Sequence, residues 1–479
     1  VQRTVAQFVA EDEGWLKRAA FCTCGDLFAD IFVITKATVT APNARPSSTS
    51  IPTAGQIFPD GSVLELLRDP DNFAKLVLVH CSGGAVEIAP EISRGDLRYV
   101  PISFDPSVAR AVRFPTRVAP PEATSQLFAD LCALLECHLA QLEPTITALA
   151  LAIFASWFSP VLQLAPILSI TAPAGSPKDR TLQLLALLCR RPLCLAGAKR
   201  SDLLRIPVGL QPTFLLDEPD HNLAMQRALQ AGAHRGRFVS TSDGVHELFG
   251  PKIIVARSLA RGTELETSGL RIGLIPVSGQ LPLLAAASQD EIAEKFQARF
   301  VSHFLRNSGS VRIPRFGIND LAAPIQDLAC ALGTGLMGEK DLLGKIVSLL
   351  KVRDEEIRSD RAAAFDSIVL ESILFFIHDG SESHISMARI AEKAGVISKG
   401  RGVNEEPSPE RVGHAVKRLE IPSGRIDRSR NGVDLRESIC RLVHRIAKGH
   451  GVRAMPGRVF ESCRYCREVN AQIASETRA

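Results

Sequence analysis

Apolar positions change their spacing along this chain, and each change marks a different kind of element. Up to about residue 123 the apolar runs are short and strand-like, Ile31 to Ile34 and Leu76 to His80, separated by a Pro/Ser/Thr-rich stretch from Thr40 to Pro59. From Ser125 onward Leu127, Phe128, Leu131, Leu134, Leu135 and Leu139 recur at helical spacing. Strand and helix patterns then alternate: Leu164 to Ile170 as strand, Thr181 to Arg190 as helix, Thr213 to Leu216 as strand, with further strands at Ile253 to Val255 and Arg271 to Pro276. Such alternation predicts a mainly parallel sheet covered by helices. The apolar run from Ile146 to Ile170 is interrupted by Ser156, Pro160, Gln163 and Pro166, so it reads as a buried helix and a buried strand rather than a membrane span.

Helical patterns fill the remainder at Asp290 to Arg306, Ile318 to Leu332, Glu339 to Leu350 and Arg361 to His378. Two shorter helices follow, Ile385 to Ala394 and Ser408 to Leu419. The second has Ser408 as N-cap, Pro409 at its first position and Glu410 in its first turn. Asn431-Gly432 reads as the tip of a hairpin. Helix-turn-helix plus hairpin is the outline of a winged helix. The pattern predicts an accessory α+β domain over 1–123, an α/β core over 124–280, a helical domain over 281–360, a winged-helix-like domain over 361–450 and a tail over 451–479.

Composition narrows this picture. A chain of 479 residues with 46% apolar content can bury more than one core. Its net charge of +4 is modest, but residues 381–479 hold 19 Lys/Arg against 12 Asp/Glu, which leaves the first 380 residues slightly acidic. The basic character therefore belongs to the C-terminal region. Eleven scattered cysteines and no apolar leader after Val1 point to reduced thiols in a cytoplasmic protein with no membrane partner. Cys22 and Cys24, one residue apart with no second pair nearby, read as structural thiols.

The candidate chemistry centres on Pro212-Thr-Phe-Leu-Leu-Asp217-Glu218, an apolar strand ending in two carboxylates. At a nucleoside triphosphate, Asp217 can hold Mg²⁺ and Glu218 can orient the attacking water. Upstream, the strand ending at Thr171 enters the loop Ala174-Gly-Ser-Pro-Lys-Asp-Arg180-Thr181, which opens a helix. Such a loop can cradle phosphate with backbone N–H groups. It departs from Gly-x4-Gly-Lys-Ser/Thr. With Thr181 as the terminal hydroxyl, Arg180 stands at the lysine, Asp179 at the second glycine and Ala174 at the first. Lys178 can reach inward in another register. Gly175, Lys178, Arg180, Thr181 and Asp217 are the candidate nucleotide-binding residues, with Thr181 and Asp217 as Mg²⁺ ligands.

The run from Ile170 to Pro276 resembles the helicase-like P-loop ATPase domains of mobile-element and phage replication proteins, relatives of AAA+ machines. The matching pieces are Ala172-Pro173, Asp179-Arg180-Thr181, Leu182 to Leu188, Arg191-Pro192, Pro212 to Asp220, and Ala231-Gly-Ala-His234-Arg235-Gly236. The resemblance implies an α/β P-loop NTPase core with an N-terminal α+β accessory region and a C-terminal winged-helix region. It further implies ATP and Mg²⁺ as cofactors, DNA as partner, and a homo-oligomer such as a hexameric ring. Arg257 falls where such proteins carry a polar sensor, and Arg271 where a finger reaches a neighbouring subunit. His234, Arg235 and Arg237 fall in a loop that faces the central channel.

On the winged-helix pattern, Arg411, His414, Lys417 and Arg418 lie on the recognition helix, and Arg425, Arg428 and Arg430 on the wing. A basic helix enters the major groove while a basic hairpin touches phosphates. In the tail, Cys463-Arg-Tyr-Cys466 has metal-compatible spacing, and His444 and His450 would complete a zinc site if the tail folds back. Lacking a second cysteine pair, the two thiols are expected to be unligated. No dinucleotide loop, Ser-His-Asp arrangement or glycosidase carboxylate pair stands out. Three readings stay open: an ATP-driven remodeller of nucleic acid, an inactive P-loop scaffold that binds DNA or a replication partner, and an adaptor with little nucleic-acid contact.

Overall fold

The computed structural model describes residues 49–257, 269–311, 313–314, 321–380, 382–403, 406–425, 431–452 and 463–468. Contacts divide the chain into two units, residues 1–50 with 95–97, and residues 51–94 with 98–479. Everything below concerns the second unit. Cys22, Cys24 and the strand-like run at Ile31 lie outside the described residues.

The N-terminal part is a four-stranded antiparallel meander of β1 (Gly55–Ile57), β2 (Val63–Arg68), β3 (Leu76–Ser82) and β4 (Ala85–Ala89). Gly83 and Gly84 both have positive φ, 55° and 86°, which a two-residue hairpin between Ser82 and Ala85 requires. Strand β2 is apolar on both faces: Val63 and Leu67 join one core, Leu64 and Leu66 another.

Helix α1 (Thr124–Leu139) buries the predicted stripe of Leu127, Phe128, Leu131, Leu135 and Leu139. Helix α2 (Glu143–Trp157) is buried at every position from Thr145 to Trp157, and β5 (Ile167–Thr171) follows, so the long apolar run is helix then strand. Among the described residues no helix is long and apolar enough to cross a membrane. Trp157 at the end of α2 stacks on Phe300 with an interplanar angle of 9° and donates its indole N–H to the Leu188 carbonyl at 2.9 Å.

The α/β core is a parallel five-stranded sheet. To β5 are added β6 (Pro192–Ala196), β7 (Thr213–Asp217), β10 (Lys252–Ala256) and β11 (Leu270–Gly273). Their order is β11-β5-β10-β7-β6, so β10 lies between the loop-bearing strand and the Asp217 strand. Between β5 and β6 runs α3 (Lys178–Leu188), and between β7 and β10 run α4 (Leu223–Ala231) and the hairpin β8 (Phe238–Thr241)/β9 (Gly244–Glu247). Strand β6 begins at a proline, which an edge strand tolerates because one side of its ladder is unpaired. On one face of the sheet α5 (Ala286–Asn307) packs against α2 and α3.

Among the described residues, Glu65, Arg190, Arg191 and Lys252 are charged and buried around this sheet. Glu65 of β2 accepts from Arg190 Nε at 3.0 Å and Nη2 at 2.7 Å, and pairs through its other oxygen with Arg191. Burial by itself would raise the Glu65 carboxyl, but the two guanidiniums outweigh it and hold it below the usual range. The Lys252 ammonium donates to the carbonyls of Gly232 (2.6 Å), Gly250 (2.7 Å) and Leu248 (3.0 Å), fastening both ends of the β8/β9 hairpin to the start of β10. Burial pushes this lysine down to about 7.

The C-terminal region continues with α6 (Ala323–Gly333), α7 (Lys340–Ala363), α8 (Phe365–Asp379), β12 (His384–Ser386), α9 (Met387–Gly400), α10 (Pro409–Arg418), β13 (Gly424–Arg425), β14 (Asn431–Asp434) and α11 (Glu437–Gly449). The three strands form an antiparallel sheet in the order β12-β14-β13 over a core that includes Ile373, Ile390, Val416, Val433 and Val443. Ser408 caps α10 as expected, accepting from the Arg411 N–H at 3.2 Å. Asn431 and Gly432 are not the hairpin tip: they pair with Arg425 and Gly424 inside the ladder, because the apolar Val433 that follows must reach the core.

Two predictions follow from the buried charges. Glu65→Ala leaves two guanidiniums without their carboxylate and is expected to destabilise the chain by about 3–5 kcal/mol, read from urea unfolding. Lys252 has a folded value of about 7 against an unfolded value of about 10.4. Between those values the unfolded chain binds the extra proton, so stability rises with pH, by up to about 1.4 kcal/mol per unit. The stability of the wild type relative to Lys252→Met is therefore expected to climb from about pH 7 to about pH 10; a difference flat across that range would contradict a depressed ammonium.

Candidate nucleotide site and basic surface

Strand register brings the candidate carboxylates and the loop to one edge. Thr171 pairs with Ala256, and Val255 with Asp217, so β5, β10 and β7 end together at the carboxyl side of the sheet. Ligands of open α/β sheets bind at such an edge. From Thr171 the chain runs through residues 172–177 into α3. Gly175 has φ 83°, a conformation an L side chain rarely adopts, and its carbonyl accepts from the Val277 N–H at 3.3 Å.

Lys178, the first residue of α3, bridges this loop to the carboxylates. Its ammonium lies 2.5 Å from Asp217 Oδ1, an ion pair rather than a well-aligned hydrogen bond, and donates to Glu218 Oε1 at 3.0 Å. Burial opposes the charge on Lys178, yet the bonds and field of both carboxylates raise it above its ordinary value. Glu218 is held below the usual range: burial would raise it, and Lys178 together with the Arg257 backbone N–H, 3.0 Å away, outweighs that. The Glu218 backbone is left-handed, with φ 47°, and its N–H donates to the Val255 carbonyl at 2.9 Å. A non-glycine residue in that region costs on the order of 1–3 kcal/mol. It turns the carboxylate from the strand towards Lys178 and Arg257.

The other loop residues are placed differently from the register that aligned Arg180 with lysine. Arg180 donates to the Pro282 carbonyl. Thr181 is completely buried, and its hydroxyl donates to the Pro177 carbonyl at 2.8 Å. Helical geometry explains both: three residues fill almost one turn, so an inward Lys178 fixes where Arg180 and Thr181 point. Asp179 is exposed in the first turn of α3. Two of the six loop residues, Pro173 and Pro177, have no N–H, and the N–H groups of Ser176 and Lys178 donate to the carbonyls of Pro173 and Ser176. Arg257 directly follows β10, and its backbone N–H meets Glu218. Arg271 lies on the edge strand β11 opposite Ser169, two residues short of the carboxyl end.

Arg235 was expected in a channel-facing loop, but its guanidinium is engaged inward. It donates to the carbonyls of Leu162 (2.9 Å), Ser159 (2.9 Å) and Pro160 (3.0 Å) and lies over the Phe249 ring. His234 is half-buried and bridges through its backbone to Leu164, and burial lowers its ring. Arg237 is exposed. The β8/β9 hairpin that follows, with Phe238 54% and Val245 71% exposed, was not anticipated. Its Ser242-Asp243-Gly244 turn between Thr241 and Val245 was the available signal.

On α10 the basic residues divide between two faces. Arg411 lies over the Phe365 ring at 4.2 Å, and Arg418 pairs with Asp366 at 2.5 Å, so these two, seven residues apart, both turn to the first turn of α8. His414 and Lys417 point away from the buried stripe of Val412, Ala415 and Val416, and all four basic residues are exposed. Arg425 is exposed on β13, while Arg428 and Arg430 lie outside the described residues.

No family model and no curated protein sequence matches this chain. Among solved structures it is similar to the C-terminal region of NrS-1 in an apo form, at 9% identity over 78% of this chain and 97% of that one, with a TM-score of 0.36. It is similar also to a full-length MCM homolog from Methanopyrus kandleri, at 11% identity over 61% of this chain and 77% of that one, with a TM-score of 0.36. A third is SCCmec type IV Cch, an active helicase, at 12% identity over 76% of this chain and 79% of that one, with a TM-score of 0.35. At such identities and TM-scores the likeness says nothing of this chain's activity or partners.

Proposed function

We propose that the carboxyl edge of the parallel sheet is a Mg²⁺–nucleoside triphosphate site of P-loop type. We infer further that the chain is a DNA-associated, AAA+-like ATPase of the replication or mobile-element kind. The observation that carries this is the bridge of Lys178 to both Asp217 and Glu218. A lysine opening the helix after one strand, aimed at two carboxylates ending another, puts a mobile cation and a metal-binding pair at one point. Asp217 Oδ1, which faces the Lys178 ammonium at 2.5 Å, is the oxygen that would turn to a divalent cation once the lysine moves away. A bound Mg²⁺–ATP supplies the phosphoryl group that water attacks. Lys178 would leave the carboxylates for phosphate oxygens, and Glu218, held by Arg257 N–H, would orient the attacking water. Arg271 is proposed to act on a neighbouring copy in a ring.

The prolines of the loop favour a second reading, a site that binds nucleotide weakly or not at all and serves as scaffold. Two missing N–H groups and the exposed Asp179 remove favourable contacts from a phosphate. For the C-terminal region we propose a winged helix that meets DNA through His414, Lys417, Arg425 and the wing. Arg411 and Arg418 then act by holding α10 against α8.

Mg²⁺–ATP binding by calorimetry, paired with phosphate release, tests the site. Lys178→Ala is expected to weaken binding about tenfold or more, and Glu218→Gln to keep binding while slowing turnover by about 100-fold or more. Binding without turnover in the wild type would favour the scaffold; no binding at all would sink the nucleotide site. On DNA, Lys417→Ala is expected to weaken affinity and lower the salt slope by about 1. Arg418→Ala should instead reduce thermal stability with little change in that slope. Equal slopes for Lys417→Ala and wild type would remove α10 from the interface.

A further inference from the structure

Four metal-ligating side chains from three separate parts of the chain converge at one point in the C-terminal region. His378 is in the last turn of α8 and His444 in the middle of α11. Cys463 directly precedes, and Cys466 lies on, a helical turn at residues 464–468. Each offers one ligand atom, and the four atoms lie within 4.8 Å of one another. His378 Nε2 is 3.1 Å from His444 Nε2, Cys463 Sγ is 3.5 Å from His444 Nε2, and Cys466 Sγ is 3.3 Å from His378 Nε2. In a tetrahedron with zinc–nitrogen bonds of about 2.0 Å and zinc–sulfur bonds of about 2.3 Å, the edges are about 3.3 Å between nitrogens and about 3.5 Å between nitrogen and sulfur. These three spacings lie within about 0.2 Å of those edges.

Hydrogen bonding fixes one imidazole for this role. His444 Nδ1 is 2.7 Å from the Cys440 carbonyl, which can only accept, so Nδ1 carries the proton and Nε2 turns its lone pair to the cluster. Each thiol faces one imidazole nitrogen and can donate to it, whereas one cation at the centre meets all four ligand atoms at once. His450, the histidine that sequence spacing paired with the cysteines, is elsewhere: its Nδ1 lies 3.4 Å from Ser367 Oγ. The helical turn is also held on α11 by ion pairs of Arg441 with Glu468 at 2.9 Å and Arg464 with Glu437 at 3.3 Å.

We propose that His378, His444, Cys463 and Cys466 bind one zinc ion that fastens residues 463–468 to α8 and α11. Two thiolates and two imidazoles at tetrahedral spacing suit zinc over the harder divalent cations. Four protein ligands leave no open position, so the site is structural. It releases the two thiol protons on binding. The fastened helices, α8 and α11, are those that share a core with α10, so the metal stiffens the platform behind the basic helix.

Metal analysis of the full-length chain, expressed with zinc in the medium, tests this. One zinc per chain is expected, lost in Cys463→Ser/Cys466→Ser and in His378→Ala, and retained in His450→Ala. Should the variants fail to fold, chelator-treated wild type serves instead. Added zinc is then expected to protect Cys463 and Cys466 from alkylation, and added Co²⁺ to give the visible absorption of a tetrahedral thiolate site. Absence of zinc from the wild type, zinc undiminished in the double cysteine variant, or a Cys463–Cys466 disulfide in the purified chain would each overturn the proposal. None of these readouts depends on the nucleotide site.

Discussion

Strands β5 and β7 carry the loop with Lys178 and the Asp217-Glu218 pair, yet they are not neighbours in the sheet. Strand β10 lies between them, all five of its residues are buried, and its register with each neighbour decides whether loop and carboxylates end level. The register cannot slip by one residue without turning Ile253 and Val255 to the opposite face, away from the core they share with α2 and α3. Lys178 can meet Asp217 and Glu218 only because that alignment holds. The left-handed turn at Glu218 and the Arg257 N–H that supports it depend on it too, since both are tied to the end of β10.

Buried charge supports the same sheet from two sides. The Glu65–Arg190–Arg191 cluster ties the N-terminal meander to the segment just before β6, and Arg191 reaches further to the Leu210 carbonyl ahead of β7. Lys252 closes the base of the β8/β9 hairpin at the start of β10. Such groups are expensive to bury alone and strongly destabilising to leave half-paired. They fix how accessory elements attach to the core, which apolar contact by itself specifies less sharply. The Arg191-Pro192 step thus has a structural role, joining a buried guanidinium to the first residue of an edge strand.

Much of the architecture was legible because long apolar runs have a period. Helices α1, α2 and α5 and strands β5, β7 and β10 follow directly from spacing, and the parallel sheet follows from their alternation. Other elements were not legible. Strand β6 is as long as β5, β7 and β10 but opens with proline, which marks a break in the pattern, and the β8/β9 hairpin exposes Phe238 and Val245. Asn431-Gly432 has the composition of a turn but is claimed by the ladder. Arg235 has the composition of a surface loop but is claimed by three carbonyls. In each case a tertiary partner outweighed local preference.

The sequence by itself determined which residues could do chemistry: the Asp217-Glu218 pair at a strand end, the lysine and arginine of the preceding loop, the basic helix and the Cys463/Cys466 pair. Tertiary structure decided which of them meet. Lys178 rather than Arg180 faces the carboxylates, His378 rather than His450 faces the cysteines, and Arg411 and Arg418, though exposed, reach the first turn of α8. The reason is that residue type and local period set what a side chain can donate or accept and which side of its own element it occupies. Which distant element covers that side is set by the packing of whole helices and strands.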